Sequence, residues 1–168
     1  MLAKEADYAA ALEKAKDAGK KERQLCKQRE QLGLGEQINV DLTYAVHVNL
    51  AIQYQNHQLY TEALNTYNLI VRNKQYPQAG RLRVNMGNIY ASQKRYLLAI
   101  KMYRMTLDET GAAGKELRYK LLRNIGNAFI NMGQYRDAVS SYEAILEGKN
   151  DINAAFNLLL CYYALGET

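Results

Sequence analysis

Tryptophan is absent from this 168-residue chain, and proline occurs once, at Pro77. Proline breaks helix interiors, so its near absence leaves room for long helices. There are two cysteines, Cys26 and Cys161, far apart and in no CxxC pair. Idle thiols in a reducing compartment are the expectation for them. The two histidines, His47 and His57, have no carboxylate or cysteine at a ligand spacing, so no metal site is expected. Ser92, Ser140 and Ser141 lack the GxSxG context of a nucleophile elbow, and Gly33-Leu-Gly35 is not followed by the Gly-Lys-Ser/Thr of a phosphate loop. Catalysis is therefore not expected, and neither is a cofactor. No stretch approaches the ~20 apolar residues of a membrane span, and the N-terminal residues show no apolar signal-peptide core. An intracellular protein without membrane insertion is expected.

Phenylalanine is also scarce: Phe129 and Phe156 stand against fourteen tyrosines. A period in the chain explains that bias. Asn49-Leu-Ala-Ile-Gln-Tyr54, Asn85-Met-Gly-Asn-Ile-Tyr90 and Asn124-Ile-Gly-Asn-Ala-Phe129 align without gaps. Each is followed at one offset by Tyr-x-x-Ala-x-x-x-Tyr: Tyr60/Ala63/Tyr67, Tyr96/Ala99/Tyr103 and Tyr135/Ala138/Tyr142. A fourth copy begins at Asn157-Leu-Leu-Leu-Cys-Tyr162. The pattern matches the tetratricopeptide repeat (TPR) signature, L-G-x2-Y followed by A-x3-F in a unit of ~34 residues. The fold class expected is all-α: a TPR helical-repeat solenoid, a right-handed superhelix of antiparallel helix pairs.

In this reading small residues on the first helix of each unit (Ala51, Gly87, Gly126) face small residues on the second (Ala63, Ala99, Ala138), and tyrosines fill the space around them. Where the TPR pattern has tryptophan, the chain has His47, Arg83, Leu122 and Ala155, and Leu159 replaces the small residue in the fourth copy. Packing is expected to be looser there. The units expected are a second helix of a preceding unit with an extension (1–31), a spacer loop (32–42), three full units (43–78, 79–114, 115–150) and a first helix alone (151–168). Tyr8, Ala11 and Ala15 mark the leading half-unit, and Asp41 is the expected N-cap after the spacer. Starting and stopping inside repeats suggests a piece of a longer protein.

Two features suggest binding. Asn49, Asn85, Asn124 and Asn157 occupy one equivalent position, and Asn88 and Asn127 add a shorter row one helical turn on. First helices line the concave groove of a TPR superhelix, so these amides, with Lys120 and Arg123, are candidate ligands for a peptide backbone. Hydrogen bonding inside the solenoid explains such a row equally well. The second feature is charge. Residues 63–107 hold no Asp or Glu but eight bases: Arg72, Lys74, Arg81, Arg83, Lys94, Arg95, Lys101 and Arg104. With 22 bases and 17 acids in all, this stretch is +8 and the remainder −3. Such a surface attracts an acidic partner. The bases are spread over groove edge, turn and outer face, without a continuous stripe or stacking platforms, so nucleic acid is not the expected partner.

A resemblance sharpens this. Ala11-Leu-Glu-Lys-Ala-Lys-Asp-Ala-Gly19-Lys-Lys-Glu-Arg23, Asp41-Leu-Thr-Tyr44, Tyr60-Thr-Glu-Ala-Leu-Asn-Thr-Tyr67, Ala79-Gly80-Arg81-Leu82 and Phe156-Asn-Leu-Leu-Leu-Cys-Tyr162 together make the chain similar to the polaris family, the large TPR subunits of the intraflagellar transport B complex. The Lys-Asp-Ala-Gly-Lys-Lys-Glu-Arg run is the more telling part, because no repeat dictates it. The resemblance implies a scaffold in a hetero-oligomer of transport subunits, needed for cilium assembly. It also implies a place in the cilium or flagellum, basal body and cytoplasm, and partners that are other core subunits, engaged through acidic or extended segments. The alternative is a TPR co-chaperone adaptor that grips acidic C-terminal peptides. Against it, Val48 and Val84 stand where the first clamp lysine belongs and Asn124 where an arginine is expected, although Lys120 fits one position.

Overall fold

The computed structural model describes residues 2–111 and 114–166, and of these the side chains from residue 7 onward except residue 8. Tyr8, expected to pack in the leading half-unit, thus lies outside the described side chains. All regular structure among the described residues is helical: α1 (Leu2–Gln31), α2 (Val40–Asn56), α3 (Tyr60–Arg72), α4 (Arg83–Ser92), α5 (Tyr96–Glu109), α6 (Lys115–Asn131), α7 (Tyr135–Leu146) and α8 (Ile152–Leu165), with short 3-10 turns at Gly35–Gln37 and Pro77–Leu82. The chain forms two compact units, residues 1–79 and 80–168.

In the first unit α1 packs on α2 and α2 on α3. Gly33 ends α1 in a left-handed conformation (φ 71°) that glycine adopts without penalty. Leu34 N then donates to Arg29 O (2.7 Å) and Gly33 N to Glu30 O (3.1 Å), which satisfies carbonyls the helix end would leave bare. Helix α2 starts earlier than expected, at Val40, because its N-cap is Asn39 and not Asp41. Asn39 is extended, and its side chain accepts from Leu42 N at 2.9 Å. Asp41 lies within the first turn, where its charge suits the positive helix end. Between α1 and α2 the buried carboxylate of Glu22 accepts from the Thr43 hydroxyl and the Cys26 thiol, both at 2.7 Å. Burial, with the adjacent Glu22, pushes the Cys26 thiol above its ordinary value. It is a poor nucleophile at neutral pH. Tyr76, buried under the end of the unit, packs its ring 5.2 Å from that of Tyr44.

In the second unit α4 to α8 each pack on the next in sequence. One continuous core runs through Ala99, Tyr103, Leu121, Ile125, Phe129, Ala138, Tyr142, Ile145, Ala154 and Cys161. Gly87 and Gly126 are pressed against tyrosine rings, which fill the space these glycines leave. A Cβ added at Gly87 would lie 2.4 Å from Tyr103, and one at Gly126 2.8 Å from Tyr142. The alanines Ala99 and Ala138, wholly buried, occupy the same core.

The three hairpin turns are built alike. Gln58, Lys94 and Gly133 all have φ between 58° and 72°. The next residue donates five places back, Leu59 to Tyr54, Arg95 to Tyr90 and Gln134 to Phe129, at 2.8–2.9 Å. Gly166 repeats the left-handed conformation after α8. A recurrent turn of this kind makes each unit an antiparallel pair.

Candidate partner-binding surfaces

The tyrosine ending each second-helix motif sits in the core with its hydroxyl reaching a first-helix amide. Tyr103 Oη donates to Asn88 Oδ1 at 2.8 Å and also engages Asn124 of the following hairpin. Tyr142 Oη donates to Asn127 Oδ1 at 2.6 Å and accepts from Asn157 Nδ2 at 3.4 Å. One hydroxyl thus ties the amides of two successive first helices. In the first unit Ile52 replaces the second-row asparagine, and Tyr67 Oη turns instead to Gln55 Oε1 at 3.0 Å. Burial drives the pKa of Tyr103 and of Tyr142 up to about 12, only partly opposed by the hydrogen bonds with Asn124 and Asn157. The hydroxyls stay protonated donors over the physiological range.

This geometry orients the amides. Asn88 and Asn127 are exposed, and with their carbonyl oxygens taken by the tyrosine hydroxyls their amide NH2 groups are the donors left for other acceptors. They lie around a cavity of about 290 Å3 with Asn124, Asn131, Tyr96 and Tyr103. Asn131 was missed in the sequence. Its signal is a third row, Asn56, Ser92 and Asn131, seven residues after the first. Asn49 is exposed on α2, Asn85 is half-buried in α4, and Lys120 is exposed on α6. Arg123 is not a free groove ligand. Its guanidinium is bound to Asp151, whose other oxygen caps α8 by accepting from Ala154 N at 3.0 Å.

The basic residues divide between the units. Arg72 and Lys74 are exposed on the first. On the second, Arg81, Lys94, Arg95, Lys101 and Arg104 are exposed, with Arg95 over the Tyr90 ring (5.2 Å) and Arg104 over Phe129 (5.7 Å). Arg83 departs from the expectation of an open basic surface. It is largely buried and bonds both carboxylate oxygens of Glu109 at 2.7 Å. Gly80 makes room for that carboxylate, since a Cβ there would meet Glu109 Oε2 at 2.1 Å.

Residues 121–153, covering α7 and the parts of α6 and α8 that flank it, match the tetratricopeptide repeat family. The fold is a TPR-type helical repeat. Two solved structures share it over most of their length: BtubC from P. vanneervenii (TM-score 0.63, 15% identity, 95% of this chain and 85% of that one) and PilF from Pseudomonas aeruginosa (TM-score 0.61, 21% identity, 91% and 71%). At such identities the likeness speaks for the fold alone. A human protein, the intraflagellar transport protein 88 homolog, is 53% identical over 161 residues. That alignment takes in 96% of this chain but only 20% of the relative, so the chain spans about one fifth of its length. The similarity runs through the non-repeat spacer as well as the repeats.

Proposed function

We propose that this chain is a protein–protein interaction scaffold, a segment of a core subunit of the intraflagellar transport B complex, which builds and maintains cilia by carrying cargo along them. The observation that carries this reading is the 53% identity across 96% of the chain, a level that repeat consensus alone does not produce. The partners are other core subunits, met through acidic or extended segments, in a hetero-oligomer of the cilium or flagellum, basal body and cytoplasm. The role is binding and not catalysis, as is usual for TPR repeats. Exposed amides at Asn88 and Asn127 suit the carbonyls of a bound segment, and the exposed bases of the same unit, Arg81, Lys94, Arg95, Lys101 and Arg104, suit its carboxylates.

Pull-down with purified transport-complex core subunits, run beside chaperone C-terminal peptides, tests this. Retention of the transport subunits is expected. Retention of the chaperone peptides alone would turn the assignment over to the co-chaperone adaptor.

A further inference from the structure

The turn between α4 and α5 differs from its two counterparts. After the first tyrosine of the second-helix motif, the other hairpins carry Thr61-Glu62 and Arg136-Asp137, whereas this one carries Leu97-Leu98. Helices α3 and α7 thus have an acid in their first turn and α5 has none. Leu97 is 68% exposed, as Leu69 is at 71% on α3, so its exposure counts only together with the cavity beside it. Leu97 and Leu98 border a cavity of about 350 Å3 with Lys94, Arg95, Tyr96 and Met132. Its size lies at the small end of the ~300–1,000 Å3 of ligand pockets, suited to a side chain more than to a cofactor. Among the described residues no carboxylate forms an ion pair with Lys94 or Arg95. The nearest acids along the chain lie before residue 63 and after residue 107. The Arg95 guanidinium is held over Tyr90 at the rim.

We propose that this cavity docks an acidic–apolar segment of a partner protein: one bulky apolar side chain seats against Leu97, Leu98 and Met132 while flanking carboxylates meet Lys94 and Arg95. Charge complementarity selects this occupant. A basic segment would be repelled, and a purely apolar one would leave Lys94 without a counter-ion. The inference rests on the scaffold reading and adds to it the partner's chemistry and the place where it binds.

Fluorescence anisotropy of the full chain with labelled peptides tests it. The probe is Asp-Glu-Asp-Phe-Leu-Asp-Glu-Asp, with one control bearing Ser-Ser for Phe-Leu and another bearing lysines for the acids. The probe should bind more tightly in low salt than in physiological salt. Neither control should bind comparably. Leu97→Ser and Lys94→Glu should each weaken the probe about tenfold, and Arg72→Glu on the other unit should not. Circular dichroism should show all three variants folded, with Leu97→Ala as a milder substitute should Leu97→Ser melt early. Equal binding of the Ser-Ser control, or of the probe to Leu97→Ser, would remove the cavity as the site while leaving an acidic partner in place. No binding of the probe would overturn the proposal. Sedimentation showing a dimer that Leu97→Ser dissolves would make a second copy the occupant and overturn it likewise. Retention of transport subunits by wild-type chain, measured alongside, reports on the scaffold reading separately.

Discussion

Tyr67, Tyr103 and Tyr142 are the largest fully buried side chains, and each carries its hydroxyl to an amide. Phenylalanine would fill the same volume, so the tyrosine excess reflects this polar tie as well as packing. Its signature is alkaline. The folded chain keeps Tyr103 and Tyr142 protonated up to about 12, against an ordinary value of 10.0. Because the folded value is the higher one, the contribution to stability is complete below pH 10 and is lost as pH rises towards 12. Thermal melts of wild type and Tyr142→Phe should therefore converge across that window, and absorbance titration should find late-ionising tyrosines that the variant reduces in number. The glycines opposite these rings are as exacting. Gly87→Leu should cost about 1–3 kcal/mol or more, because Tyr103 is locked in the core and cannot swing away. Gly35→Ala, with nothing within 4 Å, should instead raise the chemical-denaturation midpoint slightly, by about 0.4–1 kcal/mol of unfolded-state entropy.

The helix ends decide how the hairpins close. Gln58 holds a left-handed backbone that costs a non-glycine residue about 1–2 kcal/mol, part of which glycine's greater unfolded-state freedom would offset. Gln58→Gly should thus stabilise by about 0.5–1 kcal/mol in urea unfolding, and a loss would mean that the Gln58 side chain has a role of its own. Asp151 serves two elements, capping α8 and holding Arg123 of α6. The backbone amide of Ala154, then the Arg123 guanidinium, hold its carboxyl below the ordinary 3.8. Its contribution is present above that value and disappears as pH falls through the lower folded one. Asp151→Ala should lower the melting temperature at neutral pH by several degrees, and the gap to wild type should close in strong acid.

On the scale of the molecule, the formal charge of +5 conceals a +8 stretch within an otherwise acidic chain. Its members are not equivalent. Arg81 and Lys101 are exposed and free to meet a partner, while Arg83 serves Glu109. Charge reversal at Arg81 with Lys101 should weaken partner capture and flatten its salt dependence without moving the melting temperature. Arg83→Glu should lower the melting temperature, since it sets two carboxylates together beside Gly80. If Arg83→Glu melts like wild type, the Glu109 pair is idle.

Helical class and the repeating character of the fold were legible in the residues, because they depend on spacings within some forty positions: a helical period, an alanine four before a tyrosine, one proline. The N-cap was misjudged by two residues since Asn39 and Asp41 are both good caps, and which one turns extended depends on how α1 hands the chain over. Which bonds the polar groups would make was not legible. Arg123 meets Asp151 across 28 residues, Arg83 meets Glu109 across 26, and Tyr142 meets two asparagines, each fifteen residues away, one on either side. Arg123, Arg83, Tyr142 and the asparagines stood out in the sequence but neither Asp151 nor Glu109 did, because such meetings are a matter of how helices lie against one another. Burial then settles it, because a polar atom shut away from water takes the partner that packing sets before it.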